Sequence, residues 1–336
     1  MKIAITIIFF LISQFSYSQE ISKRIQKIVD KIEEDNMYMS SAVGYGGERP
    51  KQWDRFEELK KKATDEELII LTNHKSPAVK CYSFQALAER KNPKTFEILL
   101  NHLKDTEMVE TFQGCIVSGQ SVGDFFLDVV KPNYISLSAY KLNEIQKNTV
   151  DSILLFDEEV KLVAKSYLLE SINPKEIYYD RIKEIYEREN NKSALIAISK
   201  FQKQEDKGMI AKWLSKEKTN DQYYGLRAVR NFPDSYFFPF IKKIQQQEII
   251  KPTGFNYPLI RMLYLTTVQY KDKKSRELIE NTLNNAKKST LKYHSEYIWL
   301  ALTKYPDPIY SGIVDTIEIS DFKKSEFEYW MKETDR

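Results

Sequence analysis

The chain has 336 residues, 42% of them apolar and 29% charged, with 51 basic side chains against 48 acidic ones and a net charge of +3. Its 10 glycines and 11 prolines are too few for the frequent turns of an all-β sandwich, and the charge balance supplies no basic excess for nucleic acid. Helices with solvated charged faces around an aromatic-rich core fit what is left.

The stretch MKIAITIIFFLISQFSYSQ carries one lysine, an apolar run from Ile3 to Ile12, and small residues at Ser16 and Ser18 ahead of Gln19. This is the three-part pattern of a secretory signal. Residues 1–18 are therefore expected to be removed on export, leaving a periplasmic or secreted protein. The run is about half the ~20 residues of a membrane-spanning helix, and no later stretch is longer, so no transmembrane segment is expected after cleavage. Ile21, Ile25, Ile28 and Ile32 then fall on one helical face, which assigns 19–39 to an N-terminal capping helix.

Residues 40–63 read as a glycine-rich segment, SSAVGYGGERPKQW, followed by a helix from about Trp53 to Lys62. Successive glycines can turn backbone N–H groups towards an anion near a helix start. Arg49 and Lys51 would add charge there, and Tyr45 and Trp53 contact area. The plain alternative is a flexible link.

The next segment holds the most informative pattern. Val79-Lys80 is followed by Asn92-Pro93-Lys94, and the same residues recur as Val160-Lys161 and Asn173-Pro174-Lys175. In the first copy Val79, Ser83, Ala86 and Leu87 share a helical face, Asn92-Pro93 breaks the helix, and Phe96, Leu99, Leu100 and Leu103 begin another. The second copy repeats this with Val160, Ala164, Tyr167 and Leu168, then Ile177, Ile182 and Ile185. Later segments share the end of the first helix, at Ala197-Ile198, Ala228-Val229, Thr266-Thr267 and Ala301-Leu302. Pro233-Asp234 precedes Phe237, Phe240, Ile241 and Ile244, and Pro306-Asp307 precedes Ile309, Ile313 and Ile317. Helical hairpins recurring about every 30–40 residues mark an α-solenoid, in which each pair seals its apolar face only against its neighbours.

The run Val79-Lys80-Cys81-Tyr82-Ser83-Phe84-Gln85-Ala86-Leu87 resembles the first helix of HEAT-like repeats, and the Asn-Pro and Pro-Asp turns are similar to theirs. Lys80 stands where that family usually has arginine, and Ser83 and Phe84 where it has paired alanines. The resemblance implies an all-α solenoid of stacked helical hairpins, with a first unit at 64–104, further units over 157–319 and a C-terminal helix at 320–336. It also implies an extended scaffold that binds other macromolecules and carries out no reaction.

Residues 105–156 do not fit the repeat and form one long insertion, with a short helix over Asp124 to Val130 ending near Pro132. Such loops often carry binding. Gly114 to Ser121 has the spacing of a phosphate-binding loop, but Gln120 stands in place of its lysine, so a turn is the better reading. His74, His102 and Asp105 would make a thin metal site, short of a four-ligand set. A Cys81–Cys115 disulfide is permitted by the number of cysteines, although a buried free thiol suits Cys81 better. Asp157-Glu158-Glu159 suit a helix N-terminus. No catalytic, cofactor-binding or metal-binding residues are assigned. The leading expectation is an exported, non-catalytic binding or scaffolding protein whose partner is a protein or another envelope component, and not nucleic acid. The alternatives are an enzyme with its active site between 40–53 and 106–150, and a carbohydrate or peptide binder using Tyr134 and Tyr140.

Overall fold

The computed structural model describes residues 21–131, 135–136 and 138–332. The expected signal segment and Tyr134 lie outside these residues. The fold is mostly helical with one small three-stranded sheet, and it divides into two compact units, to Ala164 and from Lys165.

In the first unit, α1 (Lys23–Asp35) buries Ile25, Ile28 and Ile32. Asn36 adopts a left-handed conformation (φ 44°) and ends it. The expected capping helix therefore stops short of 39, and β1 (Met37–Val43) follows at once. Next come α2 (Lys51–Lys62), α3 (Asp65–Leu71) and α4 (Pro77–Glu89). Thr64 and Glu67 close a reciprocal cap on α3, and Ser76 caps α4 with Pro77 in its first turn. Asn92-Pro93 separates α4 from α5 (Thr95–Asn101), and the Asn92 carboxamide accepts the Lys94 N–H at 2.9 Å. The insertion supplies β2 (Met108–Gly114), β3 (Ile116–Ser121), α6 (Val122–Val130) and α7 (Glu144–Phe156).

An all-α fold was the expectation, and the sheet corrects it. β1 runs parallel to β2 and β2 antiparallel to β3, in the order β1-β2-β3. At the centre of the unit, α4 buries residues all round, among them Cys81, Tyr82, Phe84 and Leu87, and it packs against helices α1, α2, α3, α5 and α6 and strands β1 and β2. Cys81 is buried, Cys115 is exposed, and both are free thiols.

The second unit is helical: α8 (Val163–Ser171, starting at the boundary), α9 (Glu176–Glu189), α10 (Lys192–Ser199), α11 (Lys207–Leu214), α12 (Thr219–Asn231), α13 (Phe238–Ile249), α14 (Tyr257–Thr267), α15 (Lys273–Asn285), α16 (Lys288–Lys304) and α17 (Asp321–Lys332). Helices α10, α12, α14 and α16 pack side by side in that order. Helices α11, α13 and α15 form a second layer on them, and α17 packs on α16. The recurring dipeptides Ala197-Ile198, Ala228-Val229, Thr266-Thr267 and Ala301-Leu302 all lie in helices of the first layer and are buried. Gly225 marks a close approach, since a Cβ there would lie 3.0 Å from the Leu214 N. The apolar period Ile309, Ile313, Ile317 does not make an α-helix. Gly312 takes φ 81°, and the segment folds as two single 3-10 turns, Pro308–Tyr310 and Val314–Thr316.

Candidate functional site

The sheet joins β1, which spans the end of the expected capping segment and the start of the glycine-rich one, to β2 and β3 of the insertion, and Val43 is the residue of 40–53 that pairs with it, at Gly114. After β1 the chain reverses through Gly44-Tyr45-Gly46-Gly47, closed by Val43 N–H to Glu48 O (2.9 Å) and Glu48 N–H to Val43 O (2.8 Å). Left-handed conformations at Gly44 (φ 73°) and Gly47 (φ 65°) make this reversal a place for glycine. The Gly44 N–H donates to Gly114 O at 2.8 Å, and the Cys115 Sγ lies 3.5 Å from Gly44 O. The glycine turn and the β2–β3 turn thus form one tip, with Tyr45 fully exposed on it.

The anion nest expected at this turn is not formed by Gly44, Gly47 and Glu48. Their N–H groups donate to Gly114 O, Gly44 O and Val43 O. Arg49 is held by Asp54 at 2.7 Å on the surface, Lys51 is exposed at the start of α2, and Trp53 leans on Phe56 with ring centroids 4.8 Å apart. These residues neighbour the tip without converging on a point. Tyr140 is half-buried, with its hydroxyl against the Gln146 side chain and its N–H donating to Ala88 O at 2.7 Å. That arrangement anchors the loop and engages the Tyr140 hydroxyl.

Strand geometry gives the sheet two unlike faces, because successive side chains alternate. Tyr38, Val109 and Thr111 point inward and are buried. Tyr38 meets Phe125 at 4.6 Å and Tyr82 at 4.9 Å between centroids. The pairings Met37↔Glu110, Met39↔Phe112 and Phe112↔Val117 put Met37, Met39, Met108, Glu110, Phe112 and Val117 on the opposite face. Met108 is 60% and Val117 54% exposed, so an apolar surface lies open to water. Three of the chain's seven methionines meet on it, brought there by strands far apart in sequence. Exposed apolar side chains gathered on one face favour binding, and methionine adapts to varied partners.

Other polar clusters satisfy themselves. His102 Nδ1 lies 3.2 Å from Asp105 Oδ2, while Lys80 reaches Asp105 (2.9 Å) and Glu107 (2.7 Å). Burial pushes the Asp105 carboxyl up, but hydrogen bonds from His102, Lys80 and the Glu107 N–H outweigh it and hold the group at about 2. His74 stands apart, its Nδ1 accepting the Ser76 N–H at 3.0 Å. No group of three or more metal-ligating side chains occurs among the described residues. An open depression of about 800 Å³ is lined by Glu57, Lys60, Lys62, Glu89, Arg90 and neighbours. Lys60 there pairs with Glu57 (2.7 Å) and Glu89 (2.9 Å), Lys62 with Glu58, and Arg90 with Asp65. In the second unit Lys192 sits over Trp213 and Tyr224 and pairs with Asp221 at 2.8 Å, which also ties α10 to α12. No helix among the described residues is long and apolar enough to cross a membrane.

Set against family models, curated proteins and solved structures, the chain matches none of them. What the described residues define is a mostly helical protein bearing a small mixed sheet with an apolar outer face.

Proposed function

We propose that this is an exported, non-catalytic binding or scaffolding protein, a HEAT-like array of helical hairpins whose inserted sheet engages a protein partner. The outer face of Met37, Met39, Met108, Phe112 and Val117 carries this reading, because burying such a surface gains free energy only when something covers it. An apolar segment of another exported protein suits it, since the face presents Glu110 as its single charge. The layered packing of α10, α12, α14 and α16, with small residues at matched places, supports the repeat architecture. The signal-like N-terminus motivates the location.

The test is affinity isolation from an envelope fraction with the wild-type chain and with Met108→Glu and Val117→Glu. Both positions are exposed, so the variants should fold as judged by circular dichroism, yet capture of the dominant partner should fall at least about tenfold. Undiminished capture by both variants refutes the face as the binding surface.

A further inference from the structure

The two edges of the sheet are finished differently. On β1, Gln52 Nε2 donates to Met37 O at 3.0 Å, and the Tyr82 hydroxyl accepts the Met39 N–H at 2.7 Å and donates to Met39 O at 2.9 Å. An irregularity between Met39 and Val43 breaks the line further. Side chains occupy the groups through which another strand would add, so this edge is closed.

β3 has none of these protections. The two-residue turn Gly114-Cys115, with glycine left-handed at its first position (φ 53°), makes Gln113 and Ile116 a hydrogen-bonded pair. Alternation extends the pattern to Thr111–Ser118 and Val109–Gln120, and the Val122 N–H bond to Glu107 O at 2.9 Å continues the series. The backbone N–H and C=O groups of Val117 and Gly119 therefore face away from β2. No strand pairs with β3 on that side among the described residues. From Gln113 to Gly123 there is no charged residue and no proline, although these are the devices that usually guard an open edge.

We propose that β3 pairs antiparallel with β3 of a second copy of this chain about a two-fold axis, joining the two sheets edge to edge. Charge selects the occupant. Self-pairing sets identical residues near one another, and a charged edge would repel its own copy, whereas this edge is neutral throughout. The one charged residue of β2 is Glu110, opposite Gly119. Across the joint the two Glu110 positions stand three strand spacings apart, about 14 Å, beyond the roughly 8–10 Å over which salt leaves exposed charges in contact. The axis runs perpendicular to the sheet, so both methionine-bearing faces end on the same side as one patch. A six-residue strand pair is small beside the ~800 Å² per partner of long-lived complexes, which makes the association concentration-dependent. The inference goes beyond partner capture and does not rest on it.

Sedimentation analysis of the mature chain from low to high micromolar concentration should show a reversible monomer–dimer equilibrium. Amide exchange at Val117 and Gly119 should slow about tenfold at the high end. Gly119→Pro removes an outward N–H and adds a ring whose Cβ would lie 3.4 Å from Met108 Cε, and Ile116→Lys guards the edge from the side away from the methionines. Both should stay monomeric with unchanged circular dichroism, and if the proline variant misfolds, the lysine variant decides. Met108→Glu should still dimerise even where it abolishes partner capture, which separates the two readings. A wild-type chain that stays monomeric throughout, or edge variants that dimerise as well as wild type, overturns the proposal. Protection of Val117 and Gly119 only when another envelope protein is added overturns it too, and assigns the edge to that protein.

Discussion

Replacing Tyr82 by phenylalanine isolates what holds β1 in place. The ring is fully buried, stacked on Phe56 at 5.0 Å and tilted on Tyr38 at 4.9 Å between centroids. Phenylalanine keeps that packing and deletes only the hydroxyl. The hydroxyl accepts the Met39 N–H and donates to Met39 O, so its loss strands two backbone groups at once. Each unsatisfied buried group costs about 1–3 kcal/mol. Met39 is half-exposed, and water recovers part of the loss, which puts the sum at about 2 kcal/mol. For a unit of this length that is about 4–8 °C in Tm. Differential scanning calorimetry, following the first unit's transition, measures the shift. Amide exchange across β1 should quicken at least about tenfold. A transition within about 1 °C of wild type, together with unchanged β1 exchange, would refute the claim that Tyr82 closes this edge.

Two further outcomes follow from close packing and burial. A Cβ at Gly123 would lie 2.7 Å from His102 O and 2.9 Å from Leu162 Cδ2. A backbone carbonyl cannot step aside as a side-chain tip can, so Gly123→Ala should cost about 3 kcal/mol in urea denaturation, while an unaltered midpoint would mean that α6 and α5 separate readily. His294 is buried beside Phe255, its Nδ1 2.6 Å from the Tyr264 hydroxyl, and burial lowers its imidazole to about 4. The unfolded chain binds that proton near pH 6.5 and the folded one does not, so stability should fall as pH drops from 6.5 towards 4, by up to about 3 kcal/mol. His294→Gln should flatten this pH dependence in denaturation midpoints, and a slope equal to wild type would show that other groups set it.

The helices of the second unit were legible because close contact between neighbouring helices demands small or slim residues at matched depths. Ala197, Ala228, Thr266 and Ala301 recur for that reason, and they fall in the four helices that pack in succession. The sheet was not legible, for two physical reasons. Met37, Tyr38 and Met39 are all apolar, so the alternation that places Tyr38 inside and the methionines outside leaves no period-two signal. β3, Ile-Val-Ser-Gly-Gln-Ser, lacks a periodic apolar set altogether. The break after Tyr305 is readable from Pro306-Asp307, whereas the left-handed conformation of Gly312 interrupts the apolar period that follows. For the site, the glycines before Ser121 suggested a turn and those around Tyr45 a nest or a link, and the contact between the two segments emerges only from the fold. The methionine face could not be read in advance, since Met108 joins Met37 and Met39 only through parallel pairing of distant strands.

That parallel pairing also acts as a length gauge. Met37 is aligned with Glu110 and Tyr38 with Thr111, and every residue of α2, α3, α4 and α5 lies in the loop that this alignment closes. Adding or deleting one residue in those helices would have to be absorbed in their connections, or else the strands would slip by one. A one-residue slip would turn Tyr38 out to water and draw its methionine neighbours towards the aromatic core. An insertion within α2, α3, α4 or α5 should therefore be tolerated only where a connection between these helices takes up the extra residue.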